Sequence, residues 1–84
     1  MTRLTEMMNI GKEMEAKLCS VDIDSAEKLV EIGSKRAFLR LKDAYPNVCL
    51  VHLYVLEGAI TDTPYNYLPD ETKKNLKAFS DQYK

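Results

Sequence analysis

Residues 48–61 read VCLVHLYVLEGAIT, a stretch whose apolar residues would lie on nearly every side of a helix. A helix without a polar face is stable only when other elements cover it on all sides. The stretch is interrupted by His52, Glu57 and Gly58, and it is shorter than the roughly 20 apolar residues that span a bilayer. We therefore predict a helix over residues 48–61 at the centre of a helical bundle, and no membrane-spanning segment.

The rest of the chain divides into shorter segments whose apolar residues recur three or four positions apart, as on one face of a helix. We predict a short helical turn over residues 2–8 and a helix over residues 11–20. Two further helices are predicted, one that follows a cap at Asp24 and ends at Ile32, and one that follows a cap at Ser34 and ends at about Ala44. A last helix opens at Leu68-Pro69-Asp70-Glu71. The predicted fold class is all-α: a small single-domain bundle of about five helices over residues 1–84.

Residues that favour helix ends mark the boundaries of these segments. Thr2 is the predicted N-cap of the first turn, and Asp24 with Glu27 three residues later resembles a capping box. Ser34 and Asn47 are the predicted N-caps of the two following helices. Gly33 lies where a helix end requires a positive φ, which glycine adopts without steric cost.

The composition limits which partners the protein can have. The net charge of −1 argues against a strongly basic, nonspecific nucleic-acid binder, although a local basic patch is compatible with it. The N-terminus lacks the apolar region of a signal peptide, so we predict a cytoplasmic protein with no membrane partner. Cys19 and Cys49 lie in apolar patterns, and we predict that both are buried, free thiols.

The residues give no sign of catalysis. Cys49 and the only histidine, His52, would share a helical face, but a structural zinc site needs four ligands. Phosphate-loop, dinucleotide and nucleophile-elbow motifs are absent. We predict no catalytic residue, metal, cofactor or small-molecule substrate, with a metal-binding or thiol protein as a remote alternative. Glu57 is expected to face solvent or to bond a local backbone group, and the alternative is a buried acid.

Asn9-Ile10-Gly11-Lys12 joins the first turn to the next helix. Glycine lets the backbone turn tightly and approach a partner, and Lys12 adds a positive charge to a helix N-terminus, which favours anions. A helix-hairpin-helix element holds a nucleic-acid phosphate in this way without reading bases. Gly11 and Lys12 are therefore candidate phosphate-binding residues. The alternative is a structural hinge.

Ser34-Lys35-Arg36 begins a second basic segment that continues through Arg40 and Lys42. Cations in a first helical turn oppose the helix dipole, so their presence there favours an anionic partner. Lys35, Arg36 and Arg40 therefore join the candidate phosphate-binding residues. The alternative is a solvated face whose charges are balanced by Glu31 and Asp43. The rival functional hypothesis is a protein-interaction surface, including that of a homo-oligomer, that uses Tyr54, Tyr65 and Tyr67.

Several stretches resemble the TfoX C-terminal domain family, which is found in competence regulators. They are Asn9-Ile10-Gly11-Lys12, residues 21–33, residues 48–60 with their Leu-Glu-Gly-Ala-Ile run, and Leu68-Pro69 before a lysine-rich helix. The resemblance implies a small all-α domain with a helix-hairpin-helix-like N-terminal part. It also implies regulation of natural transformation or transcription through DNA or a DNA-bound regulatory protein, without cofactor or catalysis.

Overall fold

The computed structural model describes residues 2–83; Met1 and Lys84, the ends of the predicted domain, lie outside the described residues. These residues form five α-helices and two single-turn 3₁₀ helices, and no β-strand. The predicted all-α class is confirmed. In chain order the elements are a 3₁₀ turn at Leu4–Glu6, α1 (Lys12–Ser20), α2 (Ala26–Ile32), α3 (Ser34–Ala44), α4 (Leu50–Thr61), a 3₁₀ turn at Tyr65–Tyr67, and α5 (Asp70–Asp81).

Helix α4 is the hub of the fold, as its apolar sequence predicts. It packs against α3, α5 and the second 3₁₀ turn. Leu53 and Leu56 are completely buried, whereas Val51 near the start of the helix is half exposed and Thr61 at its end is exposed. Within residues 2–83, no helix is long and apolar enough to cross a membrane.

The surrounding helices are too short to be stable alone, so they depend on the core for their structure. Each contributes apolar side chains to one cluster with α4, and burying such a side chain stabilises the fold by about 1.5–3 kcal/mol. The completely buried residues outside α4 are Leu4, Leu18, Ile23, Leu29, Ala37, Phe38 and Leu41.

Two predicted caps near the N-terminus are wrong. Helix α2 is capped by Ser25, whose Oγ accepts a hydrogen bond from the Lys28 amide at 3.1 Å. Asp24 is exposed and outside the helix. Thr2 caps no turn: its amide and hydroxyl donate to the two carboxylate oxygens of Glu27, at 2.9 and 2.7 Å. Glu27 in α2 thus holds the N-terminal segment by hydrogen bonds to Thr2, a distant contact that local spacing could not indicate.

The predicted caps of the next two helices are also wrong. Gly33 has φ +89°, as predicted, and it both ends α2 and caps α3, so Ser34 is already the first helical residue. Asn47 is exposed, and α4 is capped by Cys49. The physical reason is that Val48 belongs to the core, and its amide closes a turn onto the Tyr45 carbonyl at 2.9 Å. The chain therefore becomes helical only at Leu50.

Candidate phosphate-binding surface

Two helices begin at a glycine on the surface. Gly11 is the N-cap of α1 and Gly33 is the N-cap of α3. At both positions a Cβ would meet no heavy atom within 4 Å, so the space beside the backbone is open. Both glycines follow an isoleucine, but their φ angles, −97° and +89°, show that the two turns differ in structure.

The reversal before α1 is made by Asn9, and not by Gly11 as predicted. Asn9 has φ +72°, whereas Gly11 is extended. The Asn9 Nδ2 donates to the Thr63 carbonyl at 3.0 Å, and its Oδ1 accepts from the Tyr65 amide at 3.2 Å. These bonds fix the turn against the segment after α4. The sequence motif contained Asn9, but nothing local indicated its distant partners.

The start of α1 is more acidic than its single lysine suggests. Lys12 is exposed, but the first turn also contains Glu13 and Glu15. Glu15 accepts a hydrogen bond from the Arg3 guanidinium at 3.0 Å, and this bond lowers the pKa of its carboxyl group. Glu13 remains largely exposed. An anion approaching Gly11 and Lys12 therefore also meets a carboxylate.

The start of α3 has the opposite character. Lys35 and Arg36 are both exposed in its first turn, which contains no acidic residue. The Arg36 side chain makes no hydrogen bond or ion pair with any residue from 2 to 83. The Lys35 Nζ lies 5.3 Å from the centre of the Phe79 ring. Both cations thus lie where the helix dipole disfavours them, and neither is neutralised.

An open groove of about 840 Å³ lies beside these two cations. It separates the α2–α3 turn from the first two turns of α5, and α4 contributes to it. Its apolar lining comes from Ile32, Ile60 and Leu76, and its acidic lining from Glu57 and Glu71. The structure therefore brings Lys35 and Arg36 together at one site with both apolar and acidic neighbours.

Ser34 and Glu57 join two helices within this groove. The Ser34 Oγ donates a hydrogen bond to Glu57 Oε1 at 2.6 Å, and both residues line the groove. Glu57 therefore neither faces solvent freely nor bonds a local backbone group, so the expectation for it was wrong. An acidic residue in an otherwise apolar stretch was the signal in the sequence, but its partner 23 residues away was not readable.

Arg40 lies apart from the groove. Its Nη1 donates to the Val21 carbonyl at 3.3 Å, and it lines a separate depression of about 510 Å³ with Asp22, Lys28 and Asp43. Gly11 and Lys12 do not line the groove either. The five candidate phosphate-binding residues therefore do not form one site, and only Lys35 and Arg36 among them line the groove.

The three candidate interaction tyrosines differ in exposure. Tyr67, in the second 3₁₀ turn, is 74% exposed and Tyr65 is 41% exposed. Tyr54 is half-buried, and its hydroxyl donates to the Lys73 carbonyl at 3.4 Å. Of these three candidates, Tyr65 and Tyr67 offer substantial surface to a partner and Tyr54 does not.

Both cysteines are free, as predicted, but both are exposed, so their predicted burial is wrong. Cys19 lies on the outer side of α1, and Cys49 begins α4 before the helix enters the core. The Cys49 Sγ is 3.5 Å from His52 Nδ1, which also accepts from the Cys49 amide at 3.1 Å. Within residues 2–83, no group of three or more histidine, cysteine or acidic side chains could hold a metal ion.

Short amphipathic helices around one apolar helix, with a basic helix start on the surface, define a small all-α domain. The chain belongs to the TfoX C-terminal domain family, whose family model matches residues 1–80. This is a regulatory-type domain family and not an enzyme family.

Two solved structures from Listeria monocytogenes are similar to this chain. One, an uncharacterized protein in a triclinic form, is 37% identical, with a TM-score of 0.93 over 96% of this chain and 92% of that one. The other, a protein of unknown function in a tetragonal form, is 36% identical, with a TM-score of 0.94 over 98% of this chain and 100% of that one. No curated protein matches this chain.

Proposed function

We propose that this domain is a non-enzymatic binding module that contacts nucleic-acid phosphates through the start of α3. The observation that carries the proposal is the exposed pair Lys35 and Arg36 in a first turn without an acidic residue. Cations in that position cost the isolated helix a few tenths of a kcal/mol, roughly, because they oppose its dipole. A bound phosphate would reverse this cost, because the helix amides and both side chains attract it.

Such a contact would position the domain on a duplex without reading its sequence, since phosphates are the same at every base pair. Gly33 leaves the backbone open to close approach. Gly11 and Lys12 would add a weaker contact, because Glu13 lies beside them. With a net charge of −1, binding should be weak and strongly dependent on salt.

Membership of a regulatory-type domain family supports a role in controlling transcription or natural transformation, in the cytoplasm, with DNA or a DNA-bound regulator as the partner. Two free thiols suit a reducing compartment.

The test is a salt titration of binding to a short DNA duplex. Lys35→Glu with Arg36→Glu should abolish binding at low salt. Lys74→Glu with Lys77→Glu is the matched control, because it changes the net charge equally at exposed positions of α5. We expect this control to retain most of the affinity. Absence of wild-type binding at low salt, or equal loss in the two double variants, would contradict the proposal.

Exposed aromatic surface favours a second function, association with a protein, including a second copy of this chain. Tyr65 and Tyr67 present their rings on one 3₁₀ turn, and tyrosine combines apolar area with a polar group at interfaces. Sedimentation at two protein concentrations tests self-association. Tyr67→Ser should shift a dimer toward monomer, whereas Tyr83→Ser, an exposed tyrosine at the end of α5, should not. A wild-type monomer at both concentrations would exclude the homo-oligomer.

A further inference from the structure

Glu57 brings a carboxylate into the same groove as Lys35 and Arg36. Glu57 belongs to α4 and is half-buried. The other residue of α4 that lines the groove is Ile60. Its hydrogen-bond partner is the hydroxyl of Ser34, a residue only 6% exposed. The carboxylate is therefore held at the first residue of α3, immediately before the two cations.

The charge of this carboxylate is not cancelled by a direct partner. Glu57 forms no ion pair within residues 2–83, although Lys35 and Arg36 line the same groove. A serine hydroxyl stabilises a carboxylate by a hydrogen bond but carries no compensating charge. In a partly buried site the carboxylate then repels another anion more strongly than it would in open water.

We infer that Glu57 is a specificity-determining residue that keeps small anions out of the groove and weakens phosphate binding at Lys35 and Arg36. This inference rests on the proposed function. An exposed nucleic-acid backbone can meet the two cations from the solvent side, at the rim. A free phosphate ion that enters the groove instead approaches the Glu57 carboxylate. The groove thus favours a phosphate presented from outside over a free ion.

The direct test is Glu57→Gln, in which the amide oxygen can still accept the Ser34 hydrogen bond. Affinity for inorganic phosphate should rise about fivefold, the size of one charge effect at a helix terminus. Affinity for a short duplex should rise by less, because its phosphate meets the two cations at the rim and lies farther from residue 57. The slope of duplex affinity against salt should stay unchanged, because the variant adds no phosphate contact. Changes in the NMR chemical shifts of the Lys35 and Arg36 backbone amides on addition of phosphate would show that binding occurs at this site.

Glu31→Gln is the matched control, since Glu31 is exposed on α2 and does not line the groove. If Glu31→Gln raises the affinity as much as Glu57→Gln, or if neither does, the inference is overturned. The proposed function survives that result when the Lys35 and Arg36 double variant still loses duplex binding. Glu57→Ala provides a second variant and should act in the same direction.

The remaining outcomes separate the two claims. Binding of the duplex and of phosphate by Glu57→Gln but not by the wild type would support the inference and overturn the proposed function of the natural chain. Failure of both proteins to bind either probe at low salt would overturn both. Thermal unfolding of each variant shows whether an affinity change comes from a changed fold.

Discussion

Gly58, near the C-terminal end of α4, lies directly against the side-chain amide of Asn9. A Cβ at Gly58 would collide with Asn9 Nδ2 and with the Thr63 carbonyl oxygen. The same amide donates to that carbonyl, so the glycine makes room for the hydrogen bonds that join the N-terminal turn to the segment after α4. The glycine in the Leu-Glu-Gly-Ala-Ile run thus serves close packing and not backbone flexibility.

Gly58→Ala should destabilise the protein by about 1–3 kcal/mol, the cost of overpacking a tight site. In an open helix the same change would stabilise by about 1 kcal/mol, because alanine favours helices. The free energy of unfolding in denaturant measures the effect. Gly11→Ala is the control, with open space and an extended φ, and should destabilise by less than Gly58→Ala, by about 0.5 kcal/mol, because alanine is disfavoured at the α1 N-cap. A Gly58→Ala protein as stable as the wild type would show that Asn9 and the Thr63 carbonyl both move aside without cost.

Ser25→Ala should destabilise the protein by about 1 kcal/mol through loss of the α2 N-cap. The Ser25 Oγ satisfies the Lys28 amide, which then has no acceptor. Asp24→Ala, one residue earlier, should have little effect, although Asp24 was the cap predicted from sequence. Denaturant unfolding of both variants decides between the two residues, and a larger loss for Asp24→Ala would refute the assignment of Ser25.

Glu27 should make stability depend on pH in the acid range. Hydrogen bonds from the Thr2 hydroxyl and the Thr2 amide lower the pKa of Glu27 from 4.5 to about 2. Because the pKa of Glu27 is lower in the folded state than in the unfolded state, its hydrogen bonds contribute to the free energy of unfolding, and this contribution is complete above the unfolded pKa of 4.5. It is lost as the pH falls from there through about 2.

Unfolding measured between pH 7 and pH 2 checks this prediction. Glu27→Gln should remove the corresponding part of the acid dependence, whereas Glu31→Gln should leave it unchanged, since Glu31 is exposed on the same helix. An NMR titration that places the Glu27 carboxyl at its ordinary pKa would contradict the hydrogen bonds to Thr2.

Leu53→Ala should destabilise the protein by about 2–5 kcal/mol, because the side chain is completely buried in the hub and leaves a cavity. Val51→Ala, two residues earlier in the same helix, removes a half-exposed side chain and should cost less than about 1 kcal/mol. Thermal or denaturant unfolding measures both. Similar losses for the two variants would mean that α4 is not covered as the structure shows.

The sequence predicted that the helices exist, but it did not predict the residues at which they begin. The apolar run of residues 48–61 predicted the central helix, and the glycine at position 33 predicted a positive φ at that helix end. All four predicted N-caps were wrong, and for Thr2 and Ser34 the physical reason is a tertiary hydrogen bond that local spacing does not indicate. Ser34 bonds Glu57, and Thr2 bonds Glu27, each from a distant part of the chain.

Some features of the candidate site were likewise predicted from the sequence, and others were seen only in the structure. The basic segment from Lys35 and its place at a helix start followed from the order of residues alone. The grouping with Glu57 came only from the packing of α3 and α5 against α4. The separation of Arg40 from this group followed from the same packing.

The sequence by itself determined which segments are helical and which of them is central, because periodicity and total apolar character act within one segment. Only the tertiary structure decided the partners of Asn9, Glu27 and Glu57, and the exposure of Cys19 and Cys49. Those properties depend on which side chains meet after the helices pack, and atoms 20 to 60 residues apart, roughly, meet only when the core closes around α4.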